Sequence, residues 1–274
     1  MAKLLKIGIV GCGAIGGSLA KAIAKEMSPQ AKLSAFYDID ADKSKKLSEA
    51  ISKNKNLAVE SLKQLIINSD LVIESAAGSS SWVIAKSALL NGRDILIMSV
   101  GGIVSHFKEL SALAVKYNSK VYIPSGAIAG IDALKAANAG GIRSVVLTTR
   151  KNPLAFKGVK FVEDKGFILD KIKVDTVLFS GTASSAVRYF PQNINVAGVL
   201  SLAGIGSAKT KVKIIASPSI QKNIHEIRIE SRAGVIVART ENILHPDNPK
   251  TSYLAVMSAV AVLKQILVPV KIGT

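Results

Sequence analysis

Residues 5–16, Leu5-Lys6-Ile7-Gly8-Ile9-Val10-Gly11-Cys12-Gly13-Ala14-Ile15-Gly16, pass from an apolar run through spaced glycines into a helical pattern. In that context a G-x-G-x-x-G turn binds a dinucleotide. The first glycine permits the tight turn, the second lets backbone amides approach the pyrophosphate, and the third lets helix and strand pack closely. Gly11, Gly13, Ala14, Ile15 and Gly16 are therefore cofactor-binding candidates, with the free N–H groups and partial positive charge of the helix N-terminus directed at the phosphates. A glycine turn alone is a weak signal, because such turns recur for steric reasons. The second strand adds the other half. Asp38 closes Leu33-Ser34-Ala35-Phe36-Tyr37-Asp38 roughly 20 residues beyond Gly16, where a carboxylate accepts from the adenosine ribose hydroxyls and repels a 2′-phosphate. The pattern predicts NAD as cofactor, with NADP possible because Lys43, Lys45 and Lys46 follow on the next helix. Cys12 sits where a helix N-terminus lowers a thiol pKa, but it faces the pyrophosphate, so no nucleophilic role is expected.

Outward from this turn, β-branched runs alternate with helical stretches, the rhythm of βαβ units feeding a parallel sheet. Strands are predicted at Leu5–Val10, Lys32–Asp38, Leu71–Ala76, Asp94–Val100 and Lys120–Ile123, and helices at Ala14–Met27, Ala41–Asn54, Ser80–Asn91 and Val104–Asn118. Ala76, ending the third strand, is a further cofactor-binding candidate. After Pro124 the rhythm is lost. A helix at Ala129–Asn138, strands near Ser144–Arg150, Val174–Ser180 and Lys211–Ala216, an Ala/Gly-rich helical segment at Asn195–Gly206 and a hairpin of Ile224–Arg232 with Val235–Thr240 describe a second domain. Asn248 followed by Pro249 reads as an N-cap and first helical position, predicting a final helix from Lys250 to about Leu267. The expected architecture is α/β: an N-terminal Rossmann doubly wound parallel sheet over 1–123, a second α/β (α+β) substrate and dimerisation domain with a mixed or antiparallel sheet over 124–248, and a C-terminal helix over 249–274 packing back on the Rossmann domain.

The 274 residues are 49% hydrophobic and 20% charged, which supports globular cores and argues against disorder. The longest uncharged apolar stretch, Val196–Ala208, is shorter than the roughly 20 residues that span a bilayer, so no membrane association is expected. Lysines before the first apolar run mimic a secretory leader, but cleavage there would remove the first strand. One cysteine excludes an internal disulfide and a multi-cysteine zinc site, and a cytoplasmic location is expected. The formal charge of +17 attracts anions, yet the lysines are dispersed and not interleaved with stacking aromatics. No nucleic-acid partner and no metal site are expected.

Three histidines compete for acid–base work. His106 lies beside Lys108 and Glu109 on a predicted helix and reads as a solvated surface residue; His245 precedes Pro246 in a polar loop and reads as loop decoration. In Ile224-His225-Glu226-Ile227-Arg228-Ile229-Glu230, strand alternation puts His225 on the face of Ile227 and Ile229, which should be covered, while Glu226, Arg228 and Glu230 point away. A partly buried imidazole there is either a hydrogen-bonded core histidine or a proton carrier tuned to near neutrality, and alternation does not separate the two.

The blocks Pro124-Ser125-Gly126-Ala127-Ile128-Ala129-Gly130-Ile131-Asp132-Ala133, Pro191-Gln192-Asn193-Ile194-Asn195-Val196-Ala197, Asn223-Ile224-His225-Glu226 and Asn248-Pro249-Lys250-Thr251-Ser252, with the glycine turn, resemble the L-aspartate dehydrogenase family almost end to end. Ala129 departs from the glycine many relatives carry. The resemblance implies an NAD- or NADP-dependent homodimer that oxidises L-aspartate to iminoaspartate, which hydrolyses to oxaloacetate and ammonia or feeds pyridine nucleotide biosynthesis. It implies His225 as the catalytic histidine and Ala127, Asn193 and Asn195 as cofactor contacts. Two substrate carboxylates need cationic or N–H partners, for which Lys250, Thr251 and Ser252, with Arg188 and Arg239 behind them, are the candidates. Rival expectations keep the two-domain plan with another substrate, as in homoserine dehydrogenases or dihydrodipicolinate reductases, or make the chain a non-catalytic dinucleotide sensor.

Overall fold

The computed structural model describes residues 4–190 and 195–273, with the backbone alone at 249 and 250. It divides into two compact units, Met1–Pro124 with Val256–Lys271, and Ser125–Ala255 with the last residues.

In the first unit, β1 (Leu5–Val10), α1 (Ala14–Glu26), β2 (Ala31–Tyr37), α2 (Ala41–Ile51), α3 (Leu62–Ile67), β3 (Leu71–Glu74), α4 (Gly78–Leu90), β4 (Asp94–Ile97), α5 (Phe107–Lys116) and β5 (Val121–Tyr122) follow in order. All five strands are parallel, in the order β2-β1-β3-β4-β5. The chain leaves β1 in opposite directions on its two sides, so the C-terminal ends of β1 and β3 frame the switch point where open α/β sheets bind ligands. Ile7, Ile9, Leu71 and Ile73 are buried, as parallel strands covered on both faces must be. Four strands end earlier than predicted, and α3 was not foreseen from the sequence: its six residues, Leu62-Lys63-Gln64-Leu65-Ile66-Ile67, are too few to display a period.

The second unit contains α6 (Ile131–Gly140), β6 (Ile142–Lys151), α7 (Lys160–Asp164), β7 (Thr176–Thr182), α8 (Ala183–Tyr189), α9 (Asn195–Ala203), β8 (Lys211–Ala216), β9 (Asn223–Ser231), β10 (Gly234–Asn242), β11 (Leu244–His245) and β12 (Asn248–Ser252). Its five-stranded sheet runs β10-β9-β6-β8-β7 and is mixed: β6 and β8 are parallel, the other pairs antiparallel. One face carries Val145, Leu147, Val212, Ile214, Ile227 and Ile229 into a core shared with Leu134 of α6, Ala186 of α8 and Leu200 of α9. The other face is open, with Arg228, Val235 and Val237 exposed. The predicted β9–β10 hairpin is present.

Strand β7 is shifted two residues from the predicted Val174–Ser180 and α9 ends at Ala203 rather than Gly206, and two further boundaries differ for a clear physical reason. Helix α6 begins two residues late because Gly130, at φ +84°, turns the chain where a Cβ would press on Ile227 and Ala238. Asn248 does not cap a helix: Asn248–Ser252 pairs with Leu244–His245, and α10 (Tyr253–Leu267) starts where the Tyr253 amide donates to the Ile243 carbonyl. From Val256 onward α10 belongs to the first unit, where Val256, Ala259, Val260 and Leu263 form the i, i+3, i+4, i+7 stripe that joins its core. Burying Leu263 alone contributes roughly 2 kcal/mol.

Candidate functional site

The glycine turn of the first unit is fixed by backbone contacts that leave one side open. Gly11 has φ +90°, and a Cβ there would lie 2.5 Å from the Ser75 carbonyl oxygen; a Cβ at Gly16 would lie 2.0 Å from the Gly11 oxygen. Both glycines are thus required by the protein's own packing. Gly13 is different: it is exposed, its φ is ordinary, and nothing of the protein lies within 4 Å of the Cβ position. Its missing side chain clears space for something from outside. Gly13 is also the N-cap of α1 and offers no side-chain oxygen to the first-turn amides of Ala14, Ile15 and Gly16. A bare helix N-terminus beside a cleared approach fits a pyrophosphate.

Asp38 stands one residue past β2, its Oδ2 accepting from the Cys12 amide at 2.7 Å and its Oδ1 from the Asp40 amide at 3.0 Å. It is half-buried, and each oxygen keeps a lone pair for a ribose hydroxyl. Lys43 pairs with Asp40 at 3.5 Å. Burial, then the Asp38 charge, pushes the Cys12 thiol up to about 12, so it stays protonated and inert. Sequence reasoning missed Glu74, whose only signal was an acid ending the apolar run Leu71-Val72-Ile73. Glu74 is fully buried: its carboxylate accepts from the Ala76 amide (2.9 Å), the Ser99 amide (3.0 Å) and the Ser81 hydroxyl (3.0 Å). Burial raises its pKa against those hydrogen bonds. Glu74 latches the turn carrying Ala76, which also accepts from the Ser99 hydroxyl at 2.7 Å, to the turn after β4.

In the second unit, polar side chains gather at one end of the covered sheet face. His225 is 3% exposed, on the face of Ile227 and Ile229 as alternation predicts. Its ring Nδ1 lies 3.1 Å from the Thr149 hydroxyl, its cross-strand neighbour on β6. Its other flank is Thr240 of β10, whose hydroxyl donates to the Ala127 carbonyl at 2.8 Å; Asn242 donates to the same carbonyl at 3.0 Å. Asn223 donates to the Ser252 hydroxyl at 3.3 Å, and Lys151, Asn223, Asn242 and Ser252 are buried. Of the two readings that alternation left open, a core histidine and a proton carrier tuned to near neutrality, the imidazole does not match the second in its pKa. Burial, reinforced by the Lys151 charge, pushes it down to about 3, so both disfavour the imidazolium and the ring is held neutral in the free protein.

This cluster brings together His225, Ala127 and Ser252 of the sequence-derived candidates. Thr251 stands next to it, accepting from the Asn248 amide group at 3.2 Å, and Lys250 follows Pro249 on the same strand. Asn195 opens α9 and is exposed, and Asn193 lies outside the described residues. Arg188 and Arg239 are not brought in. Arg188 lines a separate cavity with Phe161 and Tyr189, and Arg239 points to the open face, paired with Glu241 at 2.8 Å. Nor is His106 a free surface residue, since it stacks on Trp82 at 4.6 Å. His245 is 2% exposed and accepts from the Asp247 amide, shaping the β11–β12 turn. Thr149, Lys151, Asn223 and Asn242 were not read from the sequence. Alternation along Val145, Leu147, Thr149 and Lys151 held a signal for two of them.

Comparison with known proteins bears on both units. Residues 132–266 match the family model described as aspartate dehydrogenase, C-terminal, and residues 11–124 that of homoserine dehydrogenase, NAD binding domain. The chain is 46% identical over 273 residues to an L-aspartate dehydrogenase of Methanosarcina barkeri, covering 99% of this chain and 100% of that one. The crystal structure of an aspartate dehydrogenase from Thermotoga maritima superposes with a TM-score of 0.71 at 26% identity, covering 99% and 100% of the two chains. A homoserine dehydrogenase from Thiobacillus denitrificans shares the fold at a TM-score of 0.62 and 14% identity, over 97% of this chain and 73% of that one.

Proposed function

The chain belongs to the L-aspartate dehydrogenase family, and from that premise we propose how its own residues carry out the pyridine-nucleotide-dependent oxidation of L-aspartate to iminoaspartate. The reading is carried by one observation: a neutral, buried histidine held by a hydroxyl within a patch of amides, hydroxyls and one lysine. Gly13, with the amides of Ala14, Ile15 and Gly16, would hold the pyrophosphate, and Asp38 the adenosine ribose. Ala76 on the Glu74-latched turn, together with Ala127, Asn193 and Asn195, completes the proposed cofactor contacts. Held by these residues, a pyridine nucleotide would supply the oxidising power as the acceptor of a hydride from the substrate Cα.

The protein's work is to orient the substrate and move one proton. His225, neutral at working pH, takes a proton from the substrate ammonium, which frees the nitrogen lone pair to form the C=N bond as hydride leaves Cα. For Nε2 to be the accepting atom, Nδ1 must carry its hydrogen and donate it to Thr149. Thr251, Ser252 and Lys250 would bind substrate carboxylate. NAD is the proposed preference, supported by the Asp38 carboxylate and by Lys43 being engaged with Asp40. We further propose a cytoplasmic homodimer, supported by the single cysteine and by exposed Val235 and Val237 on the open sheet face.

The test is reduction of NAD and of NADP by L-aspartate, with L-homoserine and other amino acids as controls, in wild-type protein and in His225→Ala. Aspartate-dependent reduction, faster with NAD, is expected in the wild type, and its loss with retained NADH binding in the variant. A wild type inert towards aspartate with both nucleotides overturns the reading; a fully active variant overturns the role of His225.

A further inference from the structure

Lys151 is the last residue of β6, two positions beyond Thr149, and so leaves the sheet on the covered face that holds His225. Two residues along a strand span about 7 Å, within the reach of a lysine stem. Lys151 is 6% exposed, and its β8 partner is the small Ala216. Beside it on β9 stands Asn223, tied to Ser252, and beyond that Asn242, tied to the Ala127 carbonyl. Among the described residues, the buried polar side chains of this unit are one lysine, two histidines, asparagines, serines and threonines; its aspartates and glutamates lie nearer the surface. The patch around His225 is therefore electropositive and rich in donors. Burial pushes Lys151 down to about 8, which leaves it largely protonated near neutrality, and its charge acts on the imidazole. An ammonium held away from water among neutral donors is strengthened as a binding group when an anion is delivered to it.

Resting on the reading that L-aspartate is the substrate, we propose that Lys151 binds one of its carboxylates and so positions the substrate ammonium at His225. The pairing has a second consequence. A carboxylate on Lys151 offsets the positive charge facing His225, the smaller of the two causes, after burial, that hold the imidazole pKa down. Lys151 is thus a positioning and binding group for the dicarboxylate.

The experiment compares wild type, Lys151→Met, Lys151→Gln and Lys151→Arg in aspartate KM, kcat, competitive inhibition by succinate, NADH affinity and thermal midpoint. The proposal expects the aspartate KM and the succinate inhibition constant to rise together, at least 50-fold, in Met and Gln. Arg should recover a substantial part of both, and NADH affinity should stay within twofold. An unchanged aspartate KM and succinate constant in either folded neutral variant overturns it, as does a loss confined to kcat or to the thermal midpoint. If wild type shows no aspartate-dependent reduction of either nucleotide, the underlying reading fails; if wild type is active and the variants match it, only the Lys151 assignment fails.

Discussion

Thr149 Oγ1 and His225 Nδ1 lie 3.1 Å apart on adjacent antiparallel strands, both residues buried, so the hydroxyl fixes the plane of the imidazole. Replacing Thr149 with the near-isosteric Val leaves Nδ1 buried without its partner, at a cost of about 1–3 kcal/mol to the oriented ring. The expected outcome is a fall of roughly 10- to 100-fold in kcat/KM for aspartate, since 1.4 kcal/mol is tenfold, with NADH affinity unchanged and Thr149→Ser retaining most activity. Steady-state kinetics within twofold of wild type would show that the hydroxyl does not position the ring.

Gly13 and Gly16 should respond oppositely to alanine. A Cβ at Gly16 would meet the Gly11 carbonyl oxygen at 2.0 Å, whereas one at Gly13 meets no protein atom. Gly16→Ala should lower stability by several kcal/mol or prevent folding, as overpacking against backbone does. Gly13→Ala should leave the thermal midpoint within about a degree or two while weakening dinucleotide binding at least tenfold. Calorimetry with NADH titration separates these outcomes, and a Gly13 variant with wild-type NADH affinity would remove the pyrophosphate from this turn.

Asp38 has two roles that a single substitution separates. Its carboxylate accepts from the Cys12 and Asp40 amides, and its remaining lone pairs face where ribose hydroxyls would lie. Asp38→Ser should lower stability by about 1 kcal/mol through a lost charge-assisted bond and, separately, shift the ratio of NAD to NADP affinity towards NADP. Dissociation constants for both nucleotides decide it, and an unchanged ratio means the carboxylate does not reach the ribose.

The His225 environment also predicts a pH dependence of folding. Its pKa is about 3 in the folded chain against an ordinary 6.5, because burial, then the Lys151 charge, disfavours the imidazolium. The unfolded chain therefore binds the extra proton first. The stability associated with the neutral ring is fully present above pH 6.5 and is lost as pH falls from 6.5 through about 3. The total is on the order of a few kcal/mol. His225→Gln should flatten that part of the curve when urea unfolding is compared near neutrality and near pH 4; a variant with wild-type acid sensitivity would contradict it.

The geometry of the glycine turn and of Asp38 was legible because its logic is local. Gly11, Gly13 and Gly16 act through the turn in which they sit, and Asp38 is placed by the end of the next strand, so spacing along the chain carries the geometry. The face on which His225 lies was likewise local, since a strand's period is 2 whatever it pairs with.

What surrounds His225 was not local. The order β10-β9-β6-β8-β7 brings Thr149 and Lys151 to it across 76 and 74 residues of chain, and nothing in alternation says which strand lies next to which. The direction of its pKa needed the burial that packing produces and the charge that pairing delivers. Likewise, the Asn248-Pro249 signal for a helix start yielded to pairing with Leu244 and His245, because a local propensity of a kcal/mol or so gives way to hydrogen bonds that exist only once the strands meet. By itself, then, the sequence determined the shape of the first glycine turn and which way the imidazole faces, both functions of the backbone nearby. The tertiary structure decided what that imidazole touches, because residues distant in the chain become neighbours only when a sheet chooses its strand order.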